Sequence, residues 1–232
     1  MKKKRQLKNV TLVALACTNI NQTIKAMKYS MREIEFAEAV LISHKKPLWL
    51  PRGIVYKYTT QNTSIDEFNY KMVYELHKYI NTDFALIVHA DGFVVNPDSW
   101  KEEFLEYDYI GAPWPIPPET DKISFRDEDG ILYRVGNSVS IRSKRLLELP
   151  SKINMPWEKF HGWYNEDGFI CVNRRKVFEQ HGIKYAPVEL AVHFSQETMI
   201  PECEGVTPFC FHKWNGKNKI YPKFSRIPFV NI

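Results

Sequence analysis

No stretch of these 232 residues reaches the roughly 18 consecutive apolar positions that a membrane-crossing helix requires, so no transmembrane segment is expected. Glycine-rich phosphate loops are also missing. The turn after the first predicted strand, Cys17-Thr-Asn-Ile-Asn21, contains no glycine, which argues against a dinucleotide-binding oxidoreductase, and there is no Walker A pattern. The Gly-x-Ser-x-Gly elbow of a Ser-His-Asp hydrolase is absent as well. Cysteine is sparse: Cys17, Cys171, Cys203 and Cys210 are widely spread with no CxxC pair, so free buried thiols and a reducing, cytoplasmic compartment are expected. No internal repeat or low-complexity segment is visible.

What is present begins with charge. The formal balance is +5, but Lys2, Lys3, Lys4, Arg5 and Lys8 alone supply five of the 32 basic residues, and the rest match the 27 acidic ones. The chain therefore divides into a basic arm, residues 1–8, and an electrically neutral body, residues 9–232. A neutral body argues against a nucleic-acid partner, while the arm reads as a solvated tail or as a contact with RNA or an anionic membrane surface. The aromatic fraction of 14% suggests a surface that uses rings, as sugar-binding clefts do.

The basic start followed by Asn9-Val-Thr-Leu-Val-Ala-Leu-Ala-Cys17 mimics a signal peptide, but the run is short and rich in β-branched residues, and it reads as a first buried strand. A helical stretch follows from Ile20 to about Arg32, with Thr18 and Asn19 as candidate caps. Short strands are expected at 39–43 and 54–58, a Ser64-capped amphipathic helix carries Phe68 to Ile80, and Phe84–Val88 is the clearest central strand. Alternating strands and helices predict a single α/β domain: a mainly parallel sheet with helices on both faces and ligands at the carboxyl ends of the strands. The proline-rich, acidic passage through Asp129 predicts an irregular, mobile loop. Strand-like patterning returns at 131–135 and 139–141, then helices from Ser143 to about Leu149 and from Glu166 to about His181. The end, Ile220 to Ile232, reads as an extended tail.

Three constellations carry chemistry. His89-Ala90-Asp91-Gly92 sits where the central strand ends, and a carboxylate there suits a divalent cation bridging two phosphates, although Asp-Gly is also a common turn. Gly162-Trp-Tyr-Asn-Glu166-Asp167 places paired carboxylates at a helix start, where capping and general-base roles are both available. Pro208-Phe-Cys-Phe-His212 ends in a histidine that suits either a structural role or a metal.

These residues together resemble a GT-A glycosyltransferase. His89-Ala-Asp91 stands where such enzymes carry an Asp-x-Asp metal motif, with His89 in place of the first aspartate, and the run from Asp91 to Trp100 and through Tyr107-Asp-Tyr-Ile-Gly-Ala-Pro-Trp114 resembles a little-characterised glycosyltransferase-like family of bacteria and large viruses. The resemblance implies a GT-A, Rossmann-like fold and transfer of a sugar from a nucleotide diphosphate, UDP favoured, to a glycan or glycoconjugate hydroxyl. It implies Mn2+ or Mg2+ on Asp91 and His212, Asp167 as first choice of base and Glu166 as second, and inversion at the sugar. By the same analogy Thr18, Asn19, Asn69, Tyr70, His89, Ala90, Asp91, Gly92, Gly136, Asn137, Arg142 and Lys213 hold the donor, while Trp114 and Trp163 stack on the acceptor. Each tryptophan reads equally as core, and Gly136-Asn137 equally as a turn. Two competing readings remain: a carbohydrate-binding module without turnover, and a degenerate transferase that has lost its metal through His89.

Overall fold

The computed structural model describes residues 4–159 and 165–212; Trp163, Lys213 and the segment 220–232 lie outside the described residues. Strand β1 (Arg5–Leu15) is followed by helix α1 (Ile20–Ser30), strand β2 (Ile34–Ser43) and strand β3 (Ile54–Tyr58). Helix α2 (Ile65–Tyr74) leads to β4 (Phe84–Ile87), then β5 (Gly92–Val94) and β6 (Tyr109–Ile110). β7 (Ser140–Ser143) runs into α3 (Lys144–Lys152), and α4 (Glu166–Gly168) passes through a π-helical turn at Phe169–Asn173 into α5 (Arg175–Gln180). Helix α6 (Val188–Phe194), β8 (Ser195–Gln196) and β9 (Cys210–His212) complete the order. Six strands form one sheet in the order β3-β2-β1-β4-β7-β6, and a second sheet has the order β5-β9-β8.

Period-2 alternation divides the core. Along β1, Val10, Leu12 and Ala14 pack with Ile24 and Met27 of α1, while Val13 and Leu15 face the opposite side with Met72 and Val73 of α2 and Leu146 and Leu147 of α3. Helices therefore cover both faces of one α/β domain, as expected. The large sheet itself is mixed rather than mainly parallel. β3, β2, β1 and β4 are parallel neighbours, but β7 lies antiparallel to both β4 and β6. The chain goes from β6 to β7 through the irregular passage 111–139 and not through a crossover helix, so it returns in the opposite direction.

Three boundaries differ from the sequence reading. β1 starts at Arg5, so part of the basic arm is strand: Arg5, Gln6 and Leu7 pair with Ile34, Glu35 and Phe36, and Lys8 meets Glu35 at 2.9 Å. β2 begins at Ile34, before the apolar run, because Glu35 sits on its exposed side. Residues 131–135 form no strand, only isolated bridges such as Pro113 to Val135.

Gly111 and Gly136 fix the passage between β6 and β7. A Cβ on Gly136 would fall 1.9 Å from the Trp114 ring, and one on Gly111 would fall 1.8 Å from the Gly136 carbonyl oxygen. Trp114 is itself buried and stacks on Phe125 with centroids 4.6 Å apart. This corrects two expectations. Trp114 is core and not an open sugar-stacking surface, and Gly136 makes room for that ring and not for a donor sugar.

Candidate active site

β1 and β4 are parallel neighbours, so the segments leaving their carboxyl ends lie side by side. After β1 the chain passes Ala16 to Asn19 into α1; after β4 it passes Val88 to Asp91 into β5. Between them opens a cleft of about 460 Å³ whose wall includes Thr18, Asn19, His89, Ala90, Asp91 and His212. This is the crevice that an open α/β sheet offers to ligands. Asn19 occupies the N-cap position of α1 with φ 51° and makes no side-chain capping bond. Ser64, also on the wall, caps α2 by accepting from the Glu67 amide at 3.2 Å. Two helix amino termini thus open on the cleft, each adding partial positive charge.

His89 and Gly92 close a tight turn, with the His89 amide donating to the Gly92 carbonyl at 2.7 Å, and Asp91 stands near its tip with a 63% exposed side chain. Gly92 pairs with His212 across β5 and β9, and a Cβ there would come within 2.5 Å of the imidazole. The glycine at that position admits the histidine. His212 Nε2 lies 3.8 Å from Asp91 Oδ1, and its Nδ1 lies 3.3 Å from Glu197 Oε1. Behind them, Asn137 Nδ2 donates to Glu197 Oε2 at 2.7 Å, the Val139 amide donates to Asn137 Oδ1 at 3.0 Å, and Tyr109 Oη donates to the Asn137 carbonyl at 2.5 Å. Asn137 holds φ 84°, a left-handed conformation that asparagine tolerates better than most residues.

His89 packs with its ring centroid 5.5 Å from that of His212, and its Nε2 is buried without a hydrogen-bond partner among the described residues. Burial first, and the neighbouring His212 second, push its pKa down to about 3. At neutral pH His89 carries no charge, so it adds nothing to repel a cation.

The Glu166-Asp167 pair has unequal environments. Glu166 is 1% exposed and its Oε2 lies 2.6 Å from Nη2 of the fully buried Arg142. Arg142 also donates through Nε to Ser140 Oγ at 3.0 Å. Both residues are therefore committed to the interior, which corrects two expectations: Arg142 is not free to hold a donor, and Glu166 is not free to act as a base. Asp167 accepts from the Gly168 amide at 2.8 Å. Burial, then the charge of Glu166, push it up to about 6, and Glu197 adds to the rise. It is not one of the cleft-lining residues.

The remaining expectations separate by position. Asn69 is buried within α2, and Tyr70 stacks on Tyr74 at 4.8 Å; neither lines the cleft. Asn137 lies behind the wall with both ends of its amide already bonded, so it orients Glu197 and is not open to sugar hydroxyls. Glu197 is the residue that sequence reasoning missed. It follows the short β8, carries no local motif, and reaches His212 only because β8 lies parallel to β9, a pairing with no signal in the local sequence.

No group of three or more metal-binding side chains exists among the described residues. Asp91 and His212 are nevertheless two hard or borderline donors on one cleft, at a separation that a small movement brings to a shared cation, with the remaining positions left for ligand oxygens and water. No helix among the described residues is long and apolar enough to cross a membrane.

A family described as a protein of unknown function (DUF5672) matches residues 56–212, more than half of the chain, and the chain belongs to that family. The match spans Asp91, Asp167, Glu197 and His212. No curated protein matches the chain.

Proposed function

We propose, for this member of a family without an assigned activity, that the cleft binds a nucleotide diphosphate sugar and transfers the sugar to an acceptor hydroxyl with the aid of a divalent cation, within a GT-A type of fold. The observation that carries the reading is the convergence of Asp91 and His212 at the mouth of a cleft onto which α1 opens its amino terminus. The helix terminus favours a diphosphate, whereas Asp91 repels one unless a cation stands between them. Asp91 and His212 would hold Mn2+ or Mg2+, and the ion would neutralise charge on the leaving diphosphate.

The chain's own residues supply the rest. Thr18, Asn19 and the neutral His89 all line the cleft; the first two would flank the nucleotide and His89 would lie against the diphosphate. Glu197, held by Asn137, stands 3.3 Å from His212 Nδ1 and would turn the ring so that Nε2 faces Asp91. Asp167 takes the proton of the acceptor hydroxyl as that oxygen attacks the anomeric carbon and the diphosphate departs, giving inversion. Its raised pKa makes it a stronger base than an ordinary aspartate once ionised.

A second reading, sugar binding without turnover, is favoured by one observation: Glu166 is consumed by Arg142, and Asp167 stands off the cleft wall. Nucleotide release from UDP-, GDP- and dTDP-sugars, with and without manganese, separates the two. Transfer predicts metal-dependent release of one nucleotide that falls at least about 100-fold in Asp91→Ala, with an unfolding temperature close to the wild type because Asp91 is exposed. Binding of a sugar with no release under any donor and acceptor combination would retire the transferase reading.

A further inference from the structure

Helix α1 and the loop between β2 and β3 each carry charge of one sign. From Ile20 to Ser30 the sequence carries Lys25 and Lys28 and no acidic residue; from His44 to Gly53 it carries Lys45, Lys46 and Arg52 and again no acidic residue. The loop lies near α1: Leu50 packs on the core, a Cβ on Gly53 would fall 3.2 Å from the Met31 side chain, and the Lys28 ammonium stands 5.9 Å from the centre of the Trp49 ring. Leu48 is fully exposed and Trp49 is 47% exposed, while Lys28, Lys45, Lys46 and Arg52 are exposed around them. Pro47 and Pro51 bracket the Leu-Trp-Leu segment and restrict its backbone.

A leucine presented entirely to solvent, next to a half-exposed tryptophan and flanked within its loop and along α1 by lysine and arginine and no acidic residue, has the chemistry of an interfacial anchor. The two apolar side chains suit the boundary between headgroups and acyl chains, and each nearby Lys or Arg is drawn to an anionic leaflet. A nucleic acid would be met by the same charges but gives no use for an exposed leucine. We propose that the Leu48-Trp49 loop, with Lys28, Lys45, Lys46 and Arg52, docks this protein on an anionic phospholipid surface. The proposed anchor does not depend on the reading of the cleft.

The test is co-flotation of the full chain with vesicles of neutral phosphatidylcholine alone or with about 30% phosphatidylserine, at low and high salt. Binding is expected only to the anionic vesicles and weakens with salt. The double variants Leu48→Ser with Trp49→Ser, and Lys45→Glu with Lys46→Glu, should each lose about tenfold or more in partitioning while unfolding at the wild-type temperature. A third variant, Lys2→Gln with Lys3→Gln and Lys4→Gln, should retain most of the binding. Absence of binding to anionic vesicles overturns the proposal. So does loss of binding only in the amino-terminal variant, or binding to single-stranded RNA and vesicles alike that ignores Leu48 and Trp49.

Discussion

Asp167 and Glu197 are the two side chains whose chemistry decides most about the site. Asp167 is raised to about 6, above the ordinary aspartate range near 4, so the fold favours its protonated form. The stability linked to it is fully present below the unfolded value and is lost as pH rises from about 4 through about 6. Activity that needs the ionised base runs the other way. The rate of transfer should climb across about pH 6, and Asp167→Asn should abolish turnover while unfolding at a higher temperature than the wild type at pH 8 and not at pH 4. A pH-rate profile beside thermal unfolding at both pH values checks the pair of outcomes. On the proposed metal reading Glu197 acts through His212, and Glu197→Gln should weaken manganese binding by about 10- to 100-fold without changing the metal preference. Titration with Mn2+ followed by electron paramagnetic resonance reads this directly, and unchanged affinity would leave Glu197 with a purely structural role.

At the scale of elements, the Arg142–Glu166 ion pair joins β7 to the short α4 that carries Asp167. Replacing Glu166 by glutamine leaves an uncompensated guanidinium in the interior, and the expected loss is about 3–5 kcal/mol in urea unfolding. Changing both partners to apolar residues of similar size should recover most of that loss while still displacing Asp167. Several elements were open to sequence reading because each declares itself locally: the buried run of β1, the Ser64 cap of α2, and the four apolar residues of β4. The strand direction of β7 was not, since its short sequence pairs equally well either way and only the missing crossover helix decides it. The expected helix from Glu166 to His181 is divided by the π-helical turn at Phe169–Asn173, where the Arg174 amide bonds the Phe169 carbonyl at 2.9 Å, an offset that side-chain periodicity does not encode. In the site, Asp91 and His212 were readable as residue types at strand ends. The burial of Trp114, Arg142 and Glu166 was not, because it depends on what the intervening passage packs against.

At the scale of the whole molecule, the cleft is built from widely separated parts of the chain. Thr18 and Asn19 come from its first turn, Asp91 from its middle, and Glu197 and His212 from near the end of the described residues. The pairing of Gly92 with His212 is the contact that brings the last of these parts to the others. During synthesis on a ribosome the sheet β3-β2-β1-β4 is available for pairing long before β9 has been translated, and slow non-local closures of this kind come late in folding. A nascent chain can therefore hold a well-formed sheet edge while its Asp91 waits without a partner, and completion of the site would mark the moment at which the newly made protein becomes competent.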